Sequence, residues 1–160
     1  MKKRLGVCLV LFLLFAFAAQ AEGVPGLSDS LFDQAKEALT RLSYGDYGSI
    51  SAQLSWAGTA PSDGDWEALA GQFGTLNNGT VQRDVSVAYW WDNGWHIAVP
   101  VTAPNSDRTE ALVLTSADGQ RFDGYAFARW GSVKSAYESS ERVSWNEEYV
   151  ESTPIIVGDD

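Results

Sequence analysis

The spacing of hydrophobic positions along the chain changes once, near Val81, from helical to extended. Before that point Leu27, Leu31, Ala35, Leu39 and Leu42 recur every three or four residues, with Phe32 and Ala38 widening the stripe. This spacing predicts an amphipathic helix with Lys36, Glu37 and Arg41 on its polar face. Ser30-Leu31-Phe32-Asp33 reads as its capping signature, and Gly45 ends it. Asp46 then caps a second helix in which Tyr47, Ile50 and Leu54 keep the same period. Gly58 to Gly64, with Pro61, is a loop. A third helix starts at Asp63 or Asp65, carries Trp66, Leu69, Ala70 and Phe73 on one face, and ends at Gly74. Asn77-Asn78-Gly79 is a further turn.

From Val81 the period is two. Val81, Arg83, Val85, Val87, Tyr89 and Trp91 alternate with Gln82, Asp84, Ser86, Ala88 and Trp90. A returning run follows Asp92-Asn93-Gly94, with Trp95, Ile97, Val99 and Val101 alternating with His96, Ala98, Pro100 and Thr102. Asn-Gly between two such runs predicts a hairpin, because a two-residue turn needs positive φ. Pro100 has no N–H, so the strand should end, bulge or reach an edge there. Ala111 to Ser116 reads as a short buried strand. Asp118-Gly119 reads as a second hairpin turn, leading into a strand from Gln120 to Trp130. Ser132 to Val150 reads as a last strand or a packed arm. Helices first and antiparallel strands second predict an α+β fold, with about three N-terminal helices on one face of a curved sheet of four to five strands. Such a layer pair is cone-like, and its open end is a natural pocket.

The first 21 residues stand apart from this pattern. Met1-Lys2-Lys3-Arg4 is basic, Leu5 to Ala19 is almost wholly apolar, and Ala19-Gln20-Ala21 is a small-x-small cleavage motif. Residues 1–21 therefore read as a cleaved signal peptide, and the protein as secreted or extracytoplasmic. Residues 22–27 form a leader, 28–135 the domain, and 136–160 an acidic arm or tail. The only cysteine, Cys8, leaves with the signal, which removes disulfides and thiolate chemistry. Loss of Lys2, Lys3 and Arg4 takes the formal net charge from −10 to −13. So acidic a chain is a poor match for nucleic acid or for an anionic membrane surface.

Several segments resemble nuclear-transport-factor-2-like domains. Ala38-Leu39 through Gly45-Asp46-Tyr47 to Leu54 resembles their opening, where a first helix ends at a Gly-Asp-Tyr/Phe step into the second. Trp66-Glu67-Ala68-Leu69-Ala70-Gly71-Gln72-Phe73-Gly74 resembles the third-helix segment of an uncharacterised branch, often found ahead of secreted serine α/β-hydrolases. Ile97 to Val101 and Asp118-Gly119 through Gly124-Tyr125 resemble two later strands of that branch. The resemblance spans about Leu31 to Arg129. It implies an accessory domain standing without its hydrolase, since no G-x-S-x-G elbow occurs in the chain. It supplies no catalytic residue or cofactor, and it leaves open a homodimer through the convex sheet face.

The candidate chemistry is sparse. His96 is the only histidine, so no metal site of several histidines can form. As an acid/base it would need a carboxylate, with Asp84 or Asp123 as partner. Two carboxylates from Asp84, Asp92, Glu110 and Asp123 could instead act as a glycosidase pair. Trp90, Trp91, Trp95 and Tyr89 around one turn are the candidate binding residues. Adjacent strand residues point oppositely, so one of Trp90 and Trp91 must face away from the hairpin's main packing surface. The expectation is a binding domain for a small ligand or an unknown protein partner, acting through the cone mouth and this hairpin. A small enzyme using His96 and a carbohydrate-binding module are the alternatives.

Overall fold

A computed structural model describes residues 24–73, 80–81, 86–102, 108–140 and 143–145. The signal segment, the turn at Asn77-Asn78-Gly79, Asp84 and the acidic tail from residue 146 lie outside them. The elements are α1 (Asp29–Tyr44), α2 (Ile50–Gln53), α3 (Asp63–Phe73), β1 (Thr80–Val81), β2 (Val87–Trp91), β3 (Gly94–Thr102), β4 (Thr109–Ser116), β5 (Gly124–Arg129), α4 (Trp130–Ser139) and β6 (Val143–Trp145).

α1 forms where the apolar spacing places it, with Leu31, Ala35, Leu39 and Leu42 fully buried on one side. It starts two residues earlier than its expected cap, after Ser28. Gly45, at φ 72°, closes it by returning its N–H to the carbonyls of Arg41 and Leu42. The second helix is one turn only. Asp46 does not cap it; its carboxylate takes the Arg41 guanidinium at 2.7 Å, and Ser49 occupies the cap position. α3 begins with a capping box, in which Asp65 Oδ2 accepts the Ser62 N–H at 2.8 Å and the Ser62 hydroxyl at 2.7 Å. Those bonds hold the Asp65 carboxyl below its ordinary pKa.

The fold class is α+β, with helices packed on a curved antiparallel sheet that does not close into a barrel. The strand order is β5-β4-β3-β2-β6, and β1 also pairs β3. The expected single strand from Val81 to Trp91 is instead two strands in different registers. Val81 pairs Val101 and Val87 pairs Ala98, so six residues advance on one side while β3 advances three. An odd excess cannot preserve one alternation. Pro100 does not end β3. It pairs Ala111 on β4 and lies opposite the interval between β1 and β2, where no described residue needs its missing N–H.

Both sheet faces are apolar, and both are covered. Trp95, Ile97, Val99, Val101, Leu112 and Leu114 meet α1, α2 and α3 in the main core. Val87, Tyr89, Ala98, Ala111 and Val113 form a second core on the outer face, under Trp130, Val133 and Tyr137 of α4. This corrects two expectations. The strand after β4 stops at Arg129, and Trp130 opens a helix. The helices are then not confined to one face: α4 covers part of the outer face, crosses residue 135, and leads toward β6 beside β2. A strand such as β3, buried from Trp95 to Val101 but for half-buried His96, requires cover on both sides.

Candidate functional site

The β2–β3 hairpin positions the candidate residues. Its turn residues are Asp92 and Asn93, with φ of 48° and 61°, and Trp91 pairs Gly94 directly. The left-handed positions of this type I′ turn thus fall one residue earlier than Asn-Gly implied, and Gly94 is the first residue of β3. Nothing in the fold requires glycine there. Its φ is not positive, and a Cβ would sit 3.7 Å from the Ser116 carbonyl, an ordinary contact.

The tryptophans divide by face. Trp90 and Trp95 are cross-strand partners on the helix side, ring centroids 5.7 Å apart at 75°. The Trp95 indole is buried and donates to the Pro25 carbonyl at 2.7 Å. Trp91 lies on the outer face and is 49% exposed. Tyr89, two residues before it, is buried and stacks on His96 at 5.2 Å and 13°. Burial pushes the Tyr89 phenol above its ordinary pKa.

His96 is half-buried on this same outer face, and its Nδ1 lies 3.2 Å from the Gly94 carbonyl. Among the described residues, no carboxylate is in ion-pair range of its ring. Asp123 is one strand further on and is committed to the β4–β5 connection. Its Oδ1 accepts from Thr115 Oγ1 at 2.6 Å and its Oδ2 from the Ala117 N–H at 2.7 Å. Glu110 shares the helix-side face with its partner Val101, is buried, and pairs with the Arg108 guanidinium. Five residues of β4 separate it from Thr115, about 17 Å of extended chain. Glu110 and Asp123 therefore stand far beyond the roughly 5–10 Å that a carboxylate pair needs in glycoside hydrolysis. Asp92 sits in the hairpin turn, and Asp84 lies outside the described residues. No three His, Cys, Asp or Glu side chains among the described residues come together as a metal site.

Two features escape a reading by spacing. The first is an aromatic cluster. Trp56, Trp66, Phe122 and Tyr125 pack with centroid distances of 4.9 to 6.2 Å on the helix side. Trp66 Nε1 donates to Ser51 Oγ at 2.8 Å, and Trp56 is held beside Phe122 by two backbone bonds of 2.7 and 2.8 Å. Three segments distant in sequence contribute these rings, so no local period could announce the cluster. The second is the leader. Val24 and Leu27 pack on the core, Pro25 accepts from Trp95, and the Ser28 N–H donates to the Gly119 carbonyl at 2.8 Å. Pro25-Gly26 is the one local sign of it, and that pair reads equally well as a linker.

Comparison of the chain with protein-family models, with curated proteins and with solved structures finds no match. What the site can do therefore follows from its own geometry.

Proposed function

We propose that the chain is a non-catalytic binding domain, exported through residues 1–21, that engages its ligand or partner with the outer face at the end of the β2–β3 hairpin. One observation carries this reading. Of the three tryptophans around the turn, Trp90 and Trp95 are spent on packing, while Trp91 presents about half of its surface to solvent. Exposing an indole forgoes roughly 1–2 kcal/mol of burial, and large aromatics at the centre of a contact are the residues that dominate binding. Packing of the Trp56, Trp66, Phe122 and Tyr125 rings on the helix side favours the hairpin end over the cone mouth. Likeness to nuclear-transport-factor-2-like accessory domains is part of the same proposal, supported by the order of helices and sheet and by the segments quoted above. An acid/base role for His96 has no support from Asp123, whose two carboxylate oxygens are held by Thr115 and Ala117, or from Glu110, which lies on the opposite face of the sheet.

Immobilised protein and its Trp91→Ala variant, each exposed to envelope and medium fractions of the producing cell, test the reading. Capture should weaken at least tenfold in the variant, about 1.4 kcal/mol, with the fold unchanged by circular dichroism. Equal capture by both proteins would move the contact surface elsewhere.

A further inference from the structure

The outer face beside Trp91 has a shape that neither strain nor packing explains, and we infer that it is a shelf for one neutral saccharide unit. This rests on the hairpin end being the contact surface and specifies what it holds. Trp91 and Gly94 are cross-strand partners, so the exposed indole stands beside a position with no side chain. Past the last β3–β4 pair, Trp95 and Ser116, the chain continues into exposed Ala117, which carries only a methyl group. Along one side of this strip runs the row below it, His96 and Thr115, again direct partners. The result is a floor of backbone, an indole at one end, and a polar ridge beside it.

The glycine is the telling residue. Gly94 has room for a Cβ and has no positive φ, and glycine in a strand without either reason marks close approach by something else. The ridge offers hydrogen-bonding groups, and the exposed Asp123 carboxylate stands beside it, bonded to Thr115 Oγ1 and to the Ala117 N–H. His96 Nδ1 lies 3.2 Å from the Gly94 carbonyl, which leaves Nε2 to meet a ligand hydroxyl. Thr115 Oγ1 donates to Asp123 and so keeps its lone pairs for a ligand hydroxyl. No lysine or arginine among the described residues belongs to the shelf. The nearest turn's Arg121 is held by Asp118 at 2.9 Å, so an anionic ligand meets no counter-charge among the described residues. Among the described residues the patch is also small and isolated. The other large exposed hydrophobic among the described residues is Tyr44, at the C-terminal end of α1. One indole with polar neighbours is far below the several hundred Å² of apolar surface that a protein or membrane contact needs. A pyranose ring matches it: an apolar C–H face for the indole and peripheral hydroxyls for the ridge.

The test follows tryptophan emission of the full chain during titration with neutral oligosaccharides of glucan, xylan, mannan and chitin type. At least one should give a saturable shift, with Kd of about 0.1–1 mM for so small a contact. Trp91→Ala should weaken it at least tenfold. Gly94→Ala should weaken it, and Gly94→Val should abolish it by filling the floor while the thermal midpoint holds or rises, since valine suits a strand better than glycine. If Gly94→Val fails to fold, Gly94→Ala alone still reads the floor. Binding unchanged in the folded Gly94 variants overturns the shelf. A flat response to every oligosaccharide overturns the saccharide, while Trp91-dependent capture of another partner would leave the hairpin surface standing. A flat response together with Trp91-independent capture removes both.

Discussion

At the scale of single residues, Gly119 is the position where the backbone leaves no alternative. Its φ is +71°, and a Cβ there would run into the Gly26 carbonyl. That contact is backbone against backbone, so no side chain can swing aside. Gly119→Ala should cost about 2–4 kcal/mol, from the left-handed penalty plus displacement of the Val24–Ser28 arm. The measurement is chemical denaturation, with tryptophan emission as a second readout. Because Trp95 donates to Pro25 in that arm, emission should shift to the red before global unfolding. A variant as stable as the parent would mean that the arm contributes nothing. Gly94 is the opposite kind of glycine, permitted rather than required.

At the scale of elements, the hairpin turn is ordered by two residues that tolerate positive φ without preferring it. Asp92 and Asn93 both adopt left-handed angles, a conformation for which an asparagine followed by a glycine is the favoured pair. The double substitution Asp92→Asn with Asn93→Gly, which installs that pair, should raise stability by about 0.5 kcal/mol. Asn93→Val should lower it by roughly 1–2 kcal/mol, since a β-branched residue resists that region. Thermal melts of the two variants on either side of the parent would establish the turn type; the reverse order would refute it. α4 shows where element boundaries are hard to read. Trp130, Val133 and Tyr137 do have helical spacing, yet Gly131, Ser132, Ser135 and Ser139 in the same segment are weak helix formers. The outer face of the sheet, and not the local sequence, makes that segment helical.

At the scale of the molecule, the hairpin end is where the chain's distant parts are stitched together. The leader crosses the β4–β5 connection, which is itself closed by Asp118. Its Oδ1 accepts the N–H groups of Gln120 and Arg121 at 2.8 Å, and its Oδ2 takes the Arg121 guanidinium. The Gln120 bond first, then the Arg121 contacts, lower its pKa to about 2. A depressed carboxyl pKa contributes stability that is present above the unfolded value, near 4, and is lost as pH falls toward 2. Thermal unfolding followed between pH 5 and pH 2 should therefore show a steeper decline for the parent than for Asp118→Asn. Parallel profiles would mean that Asp118 is not coupled to folding.

How much of this was legible depends on the range of the interaction concerned. The 3.6-residue stripes of Leu31 to Leu42 and of Trp66 to Phe73, and the two-residue alternation on either side of Asp92, identified α1, α3, the hairpin and the α+β class, because each is set by neighbours a few residues apart. The same alternation required that Trp90 and Trp91 face opposite ways. It could not say which was covered, since that depends on α1–α3 lying on one face and α4 on part of the other. The register slip between β1 and β2, the ring cluster of Trp56, Trp66, Phe122 and Tyr125, and the docked leader are likewise contacts between remote segments. Local alternation dictates which faces are apolar; contacts between remote segments settle which of those faces are covered, and among the described residues they leave Trp91 half exposed.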